Sequence, residues 1–252
     1  MVPIILEKKP ESMPYPVVRF AFQKRGALAW ISHLDVLRTF NKALLRAGLP
    51  LFYTEGYSPR PKLVFATPLS LGQESISEYL DVRLTEEVCP RAAGEALRGT
   101  LPPELSVFAA GYPGGKFSSI AFSRYEIRLL TAGASGELAA RCDARLHDRP
   151  LIVFKRSKAG DHDADISGGI REVFVGFSDG RILIDACLPA DSAGFINPDY
   201  LVNYLREKEA ILSSDPLTES ARILRLSLFD AAGEEMLPEP ACYIADREET
   251  EV

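Results

Sequence analysis

The spacing of apolar and polar residues changes several times along the chain, and each change predicts a new structural element. Residues 17–23 alternate in part and predict a strand, whereas apolar residues recur every three or four positions over 34–44 and predict a helix. Ser32 precedes this helix and Asp35 follows three residues later, which is close to a capping box. Gly48 then provides a helix stop. The chain is therefore predicted to begin with a strand and an amphipathic helix.

The next residues complete a pattern typical of α+β domains. Strands are predicted at 62–67, 77–84 and 105–110, and a second helix is predicted at 86–99. The resulting order, β-α-β-β-α-β, is the ferredoxin-like plan. We therefore expect an N-terminal ferredoxin-like domain over residues 17–110.

A second domain with the same rhythm is predicted over residues 118–232, after a glycine-containing linker at 111–117. A polar loop or hairpin at 158–165 is an addition to the plan. The other predicted elements of this half are strands at 125–130, 151–155, 173–177, 181–188 and 223–229 and helices at 136–146 and 197–210. The expected fold class is thus α+β, with two ferredoxin-like (βαββαβ) halves of which the second is decorated. Residues 1–16 and 239–252 are expected to be flexible tails.

Charge is distributed unevenly, which turns attention from the fold to a surface. The chain has a formal net charge of -6, yet residues 17–63 contain eight basic and two acidic residues and so carry a formal charge of +6. An asymmetry of this kind indicates an anionic partner. We therefore interpret the basic stretch from Arg19 to Lys62 as the working surface, with the solvated face of an ordinary core helix as the alternative.

Three cations of this stretch, Arg38, Lys42 and Arg46, are four residues apart and are predicted to share one helix face, opposite the leucines. Arg60 and Lys62 follow a proline-containing loop, and we expect them to converge with the helix start near one end of the sheet. Aromatic residues beside the cations suit RNA, because base stacking and phosphate contacts then combine. These aromatic residues are Trp30, Phe52, Tyr53 and Tyr57.

His33 is the one candidate for chemistry in the basic stretch. It stands at the predicted helix start, where backbone N–H groups can meet an anion and an imidazole can act as a general acid or base. The sequence shows no complete catalytic set, so a capping or structural role for this histidine is the alternative. The predicted ligand-binding residues are Ser32, His33, Asp35, Arg38, Lys42, Arg46, Tyr57, Arg60 and Lys62.

The sequence predicts no metal site and no cofactor. Its four cysteines are far apart, with no CxxC or Cys–His spacing, so a local three-cysteine motif for an iron–sulfur cluster is excluded. The chain also has no run of about 18 apolar residues and no signal-peptide pattern at its start. We therefore expect a cytoplasmic protein without a membrane partner.

Five segments resemble, in order and spacing, the N-terminal signature of the radical SAM-linked protein family. They are ISHLD at 31–35, KALLRAGLP at 42–50, GYSPRPK at 56–62, PLSLG at 68–72 and SISEYLD at 75–81. The specific part of the resemblance covers residues 17–84, and a weaker similarity extends to Phe229. The resemblance implies a domain of unassigned function, in its stand-alone form, that works with a radical SAM protein and has RNA-processing neighbours.

A second basic patch also follows the family pattern. The run from Lys155 through Arg156 and Lys158 to a glycine matches it, and so does Asp165 further on. The chain then has Ser-Gly-Gly at 167–169, where the resemblance implies an arginine and a proline. A charged hairpin tip is therefore the alternative to a second ligand-binding patch.

Three functions stay open. The first is a non-catalytic accessory or substrate-binding module that holds RNA or another phosphate-bearing ligand for a radical SAM protein. The second is a metal-free RNA-processing endonuclease, by fold-level analogy with the CRISPR repeat-RNA endonucleases, in which His33 works with Lys42 or Tyr57. The third is a protein-docking partner with no nucleic-acid role.

Overall fold

The chain folds into two units that each combine helices with an antiparallel sheet. A computed structural model describes residues 15–155, 160–191, 193–213 and 217–246. One unit comprises the chain up to Ser119 together with the residues from Gly233 onward, and the other comprises Ile120–Ala232. The predicted α+β class is confirmed.

The first unit alternates strands and helices in the order that the sequence predicts. Its elements are β1 (Val17–Lys24), α1 (His33–Arg46), β2 (Leu63–Phe65), β3 (Glu74–Arg83), α2 (Pro90–Arg98) and β4 (Val107–Pro113). The strands lie in the order β4-β1-β3-β2, and each neighbouring pair is antiparallel. The predicted helix at 86–99 begins later, at Pro90, because a proline fits the first turn of a helix, where its missing N–H is not needed.

The second unit has the same strand order with a hairpin added. Its elements are β5 (Ile120–Leu130), α3 (Gly136–His147), β6 (Ile152–Lys155), β7 (His162–Asp165), β8 (Glu172–Ser178), β9 (Arg181–Pro189), α4 (Asp199–Glu209) and β10 (Ser220–Asp230). The main sheet runs β10-β5-β9-β8 with antiparallel neighbours, and β6 pairs with β7 in a separate two-stranded sheet. The predicted polar hairpin is therefore present between α3 and β8.

The predicted flexible tail over 239–252 is wrong for its first part. Residues Pro238–Tyr243 form a further strand, β11, which pairs antiparallel with β4 on the side away from β1. Two prolines in this segment argue against a central strand, but an edge strand tolerates them because one side needs no N–H donors. The C-terminal segment thus extends the sheet of the first unit.

Helix α1 forms as predicted because its signals are local. The Ser32 hydroxyl accepts a hydrogen bond from the Asp35 backbone N–H at 3.2 Å, and Gly48 follows the last turn with a φ of +69°. The prediction that the leucines lie opposite the cations is wrong in part, since Leu34 and Leu45 are 52% and 57% exposed. The buried face consists of Val36, Phe40, Ala43 and Leu44.

In the second unit, Glu209 at the end of α4 is held by two arginines of α3. Its side chain is 8% exposed and accepts hydrogen bonds from Arg145 at 2.8 Å and from Arg141 at 3.0 Å. The hydrogen bond from Arg145, followed by that from Arg141, lowers the pKa of Glu209. A carboxylate whose pKa is lowered by folding stabilises the fold above its unfolded pKa, and this contribution is lost as the pH falls through the folded pKa.

Replacing Glu209 with glutamine is expected to lower the urea midpoint at about pH 7. The midpoint of the variant is also expected to decrease less than that of the wild type between about pH 7 and pH 3. The matched control is Glu137→Gln, because Glu137 lies 3.6 Å from the same Arg141 but is 86% exposed. The control is expected to follow the wild-type pH profile. Parallel profiles for Glu209→Gln and the wild type would contradict this assignment.

Candidate functional site

The predicted basic surface is smaller than the sequence count implied, because Arg19 and Lys24 are buried. Arg19 has no exposed surface and forms a bidentate pair with Asp81, with nitrogen–oxygen distances of 2.7 and 2.9 Å. The Lys24 ammonium donates to the backbone carbonyls of Ala29 and Ile31. Both cations lie in β1, a strand buried on both faces, so charge counting along the sequence wrongly assigned them to the surface.

The cation stripe, which we define as Arg38, Lys42 and Arg46, is present on the exposed face of α1. Four residues of helix rise about 6 Å, so the stripe places a cation at every turn. Asp35 is the single acidic residue of this helix. The exposed face of α1 therefore carries three cations and one carboxylate, together with the exposed Leu34 and Leu45.

Asp35 joins the stripe to the helix start. Arg38 donates to its carboxylate at 3.0 Å, which confirms the predicted pairing, and the Ser32 hydroxyl donates to the same carboxylate at 2.6 Å. The hydrogen bond from Ser32, followed by that from Arg38, lowers the pKa of Asp35. The carboxylate thus stays ionised and orients Arg38, while it offsets part of that cation's charge.

Strand alternation places Lys62 on the face of the sheet away from α1, whereas the position of Arg60 relative to the helix start stays a prediction. Side chains alternate along a strand, and in β2 the partly buried Leu63 and Phe65 pack on the core that lies against α1. Lys62, two positions before the exposed Val64, therefore lies on the other face of β2. Arg60 is exposed in the preceding loop, where its backbone N–H donates to Thr54.

Tyr57 is fully exposed at the tip of the same loop. Its ring therefore makes no packing contact that would explain an aromatic residue there. The loop thus carries two exposed side chains, those of Tyr57 and Arg60.

His33 lies at the first turn of α1, exposed and in edge-on contact with the Phe65 ring, with ring centroids 5.2 Å apart. A cavity of about 20 Å³ lies beside it and is lined in part by the buried side chains of Lys24 and Glu78. This volume holds one water molecule and not a substrate group. Titratable residues thus meet next to His33, but any substrate would have to approach it from solvent.

The second patch is described only in part. Lys155 lies at the end of β6 with its ammonium 5.7 Å from the centre of the Tyr200 ring, whereas Arg156 and Lys158 lie outside the described residues. Asp165 accepts hydrogen bonds from the backbone N–H groups of Leu151 and Ser167, and hydrogen bonds from Ser167 lower its pKa. Asp165 therefore closes the base of the β6–β7 hairpin.

Two features go beyond the sequence interpretation. Trp30, which the sequence grouped with the aromatic residues suited to RNA, is 71% exposed just before the start of α1. A groove of about 540 Å³ lies in the second unit between β6 and α4, bordered by Phe154 and Tyr200. Alternation of exposed Ile152 and Phe154 around buried Val153 is the sequence signal that could have indicated this groove.

No group of three or more His, Cys, Asp or Glu side chains placed to hold a metal ion occurs within the described ranges. Among the helices of those same ranges, none is long and apolar enough to cross a membrane.

Residues 18–198 match the protein family described as "Uncharacterized protein conserved in bacteria (DUF2344)". The match covers well over half of the 252 residues. The chain belongs to the DUF2344 family. The DUF2344 match includes the cation stripe, His33 and the β6–β7 hairpin. It contains no link to radical SAM proteins, so that partnership stays a prediction for this DUF2344 member. No curated protein matches the chain.

Similarity of this DUF2344 chain to solved structures is weak. A chain of a Cbf5-Nop10-Gar1 complex aligns with 82% of this chain and 47% of its own length, at 10% identity and a TM-score of 0.43. This chain thus spans about half the length of that one. A protein described as a glycine cleavage system transcriptional repressor aligns over 84% and 98%, at 10% identity and a TM-score of 0.22. Similarities at these TM-scores indicate neither the fold nor the function.

Proposed function

We propose that the protein is a cytoplasmic, non-catalytic accessory or substrate-binding module that works with a radical SAM protein. In this proposal it holds RNA or another phosphate-bearing ligand on the cation stripe of α1. The observation that carries the proposal is the exposure of Arg38, Lys42 and Arg46 at successive turns of one helix with Asp35 as the single acid. Cations so placed can neutralise successive phosphates and release their counterions.

The architecture that presents the stripe is, in this proposal, a pair of ferredoxin-like halves. The order β-α-β-β-α-β and the strand arrangement β4-β1-β3-β2 in the first unit support that assignment. The arrangement β10-β5-β9-β8 in the second unit supports it as well, with the β6–β7 hairpin as the decoration. Function still has to be argued from the stripe, because the plan hosts many activities.

The radical SAM partnership rests on the five sequence segments that resemble the radical SAM-linked family. The distribution of the cysteines supports an accessory role, because Cys89, Cys142, Cys187 and Cys242 lie on four different elements or loops. Burial, followed by the charge of Glu209, raises the pKa of Cys142 to about 11, so this thiol is a poor ligand at neutral pH. Radical chemistry is therefore assigned to the partner.

The test is the triple variant Arg38→Ala/Lys42→Ala/Arg46→Ala, titrated against a labelled single-stranded RNA by fluorescence anisotropy at several salt concentrations. Wild-type affinity is expected to fall steeply with salt, and the variant is expected to bind more weakly with a log–log slope shallower by about 2. Alanine favours helix at exposed positions, so α1 is expected to persist.

The matched control removes three exposed cations of the second unit, in the variant Arg181→Ala/Arg206→Ala/Lys208→Ala, and so changes the net charge equally. It is expected to retain most of the affinity and the wild-type slope. Salt-independent binding by the wild type, or equal losses in the two triple variants, would contradict the proposal.

The endonuclease remains a second candidate on one observation, the exposure of His33 next to the cavity lined by Lys24 and Glu78. The same RNA incubated with pure protein distinguishes the two candidates. Intact RNA, or cleavage that survives His33→Ala, removes the endonuclease. Cleavage lost in His33→Ala but retained after mutation of the stripe would replace the non-catalytic proposal.

A further inference from the structure

Trp30 is an exposed aromatic residue just before the helix that carries the cation stripe. It is the last residue of a short 3-10 helix, Gly26–Trp30, and lies two positions before Ser32, the N-cap of α1. Its side chain is 71% exposed, and it is the one tryptophan in the chain. Large aromatic side chains are usually buried for the most part, and core packing does not account for the position of this one.

The indole ring of Trp30 packs against the backbone of Gly72. A methyl group added at Gly72 would lie 3.0 Å from Cζ3 and 3.2 Å from Cη2 of the Trp30 ring, so the ring covers the bare backbone of the glycine. Gly72 has a φ of +83°, which L-residues rarely adopt, and its N–H donates to the Ala29 carbonyl at 2.9 Å. Both the conformation and the close approach therefore require glycine beneath the ring.

The backbone on both sides of Trp30 is also fixed. The buried Lys24 ammonium donates to the Ala29 carbonyl at 3.2 Å and to the Ile31 carbonyl at 3.3 Å. The residues before and after the indole are thus tied to β1. Trp30 is therefore a fixed aromatic surface, with its ring supported by Gly72 and much of its area open to solvent.

Hydrogen bonds join the first cation of the stripe to the N-cap of α1, and Trp30 lies two positions before that N-cap. Ser32, two positions after Trp30, donates to Asp35, and Asp35 accepts from Arg38, the first cation of the stripe. A ligand whose phosphates follow Arg46, Lys42 and Arg38 toward the start of α1 runs toward the segment that carries Trp30.

We infer that Trp30 is a base-stacking platform for single-stranded RNA whose backbone lies along the cation stripe. This inference rests on the proposed function and names the ligand class more narrowly. Nucleobases stack on aromatic rings with little regard to sequence, and cations beside the ring hold the phosphates. Single strands fit this arrangement because their bases are free to stack on protein side chains.

A protein partner is the competing occupant, because exposed Leu34 and Leu71 lie near Trp30 in the sequence and beside Gly72 respectively. The charge of the stripe favours the anionic polymer. The experiment below separates the two occupants.

The first measurement uses the intrinsic fluorescence of Trp30, which reports this position alone because the chain has no other tryptophan. Titration with single-stranded oligo(A) RNA is expected to quench the emission, whereas inorganic polyphosphate of similar charge is expected to compete for the stripe without quenching. Oligo(A) that binds by anisotropy but leaves the emission unchanged would overturn the stacking assignment.

The second measurement compares variants by anisotropy. Trp30→Ala is expected to weaken oligo(A) binding about tenfold with an unchanged salt slope, and Trp30→Phe is expected to retain part of the affinity. Phe174→Ala, which removes an exposed aromatic residue of the second unit, is the matched control and is expected to bind as the wild type does. Circular dichroism of each variant checks that the fold is intact.

The outcomes separate this inference from the proposed function. Salt-dependent binding with full affinity in Trp30→Ala overturns stacking and leaves the stripe as the ligand surface. No binding of oligo(A) or polyphosphate by the wild type overturns both. A Trp30→Ala variant that loses a protein partner but binds RNA normally assigns the surface to protein docking and overturns the inference.

Discussion

Replacing Arg19 with alanine is expected to lower the free energy of unfolding by about 3–5 kcal/mol, because the change leaves a largely buried carboxylate without its cation. Asp81, the partner, is 17% exposed and receives two hydrogen bonds from the guanidinium. Arg19 itself has no exposed surface. A loss of this size would be large for a residue that charge counting along the sequence assigned to the surface.

The arginine also joins distant parts of the first unit. It donates to the carbonyl of Gly115 at 2.8 Å and approaches that of Met236 at 3.4 Å, and its guanidinium carbon lies 4.1 Å from the centre of the Phe117 ring. These partners stand 96 to 217 positions away along the chain. Removing the side chain therefore weakens the contact of both segments with β1.

Urea unfolding tests this expectation, with Arg124→Ala as the matched control. Arg124 forms a similar bidentate pair with Asp185 across neighbouring strands, but its side chain is 44% exposed. An exposed pair of this kind contributes about 1 kcal/mol or less, so the control is expected to unfold near the wild-type midpoint. Equal losses for Arg19→Ala and Arg124→Ala would contradict the assignment.

A pH series provides a second measurement for the same pair. Burial raises the pKa of Asp81, and the hydrogen bonds and charge of Arg19 oppose that rise. Without Arg19 this opposition is lost, so the pKa of Asp81 is expected to rise further in the folded variant than in the folded wild type. The folded variant therefore takes up a proton on Asp81 more readily than the unfolded chain does. Stability then increases as the pH falls through the raised pKa, and the deficit of Arg19→Ala is expected to shrink on acidification.

Helix α1 and Arg19 show where sequence reasoning succeeds and where it fails. Helix α1 was predictable because Ser32, Asp35 and Gly48 act within one or two turns of their own positions. The burial of Arg19 was not predictable, because it depends on segments that meet β1 only after folding. Charge counting along the chain treats such a residue as surface, and the basic stretch was therefore drawn too long at its beginning.

The candidate site follows the same division. The cation stripe and the Arg38–Asp35 pair follow from helical spacing alone, and the structure places them as expected. The relation between the helix start and Lys62 depends on the register of β2 against β3, which a single sequence does not determine. The support of Trp30 by Gly72 joins residues 42 positions apart and has no local signal.

Strand β11 is the clearest case in which composition misled. Acidic residues and prolines from position 238 onward are typical of a disordered tail. In the structure, however, residues of this segment pair with β4. The pairing shifts register between Glu239 and Cys242, and Gly111 lies opposite this irregularity. The bulge brings the Pro240 carbonyl against the bare backbone of Gly111.

Replacing Gly111 with alanine is therefore expected to displace β11 and to lower the free energy of unfolding by about 2–3 kcal/mol, in the upper part of the range for overpacking. The added methyl group would collide with the Pro240 carbonyl oxygen and lie 2.9 Å from the Pro238 Cβ. A backbone oxygen cannot rotate away as a flexible side chain can, so the strand itself has to move. Hydrogen exchange is expected to increase at Ile244, whose N–H donates to the Phe108 carbonyl.

The matched control is Gly176→Ala in β8, where no atom lies within 4 Å of the added methyl group. Alanine reduces the conformational entropy of the unfolded chain and does not crowd the folded strand. The control is therefore expected to have a urea midpoint at or slightly above that of the wild type. Faster exchange at Ile244 in Gly111→Ala alone would show that β11 depends on this glycine. Equal midpoints and equal exchange in the two variants would mean that β4 and β11 accommodate the methyl group, and that the pairing is looser than the close approach at Gly111 indicates.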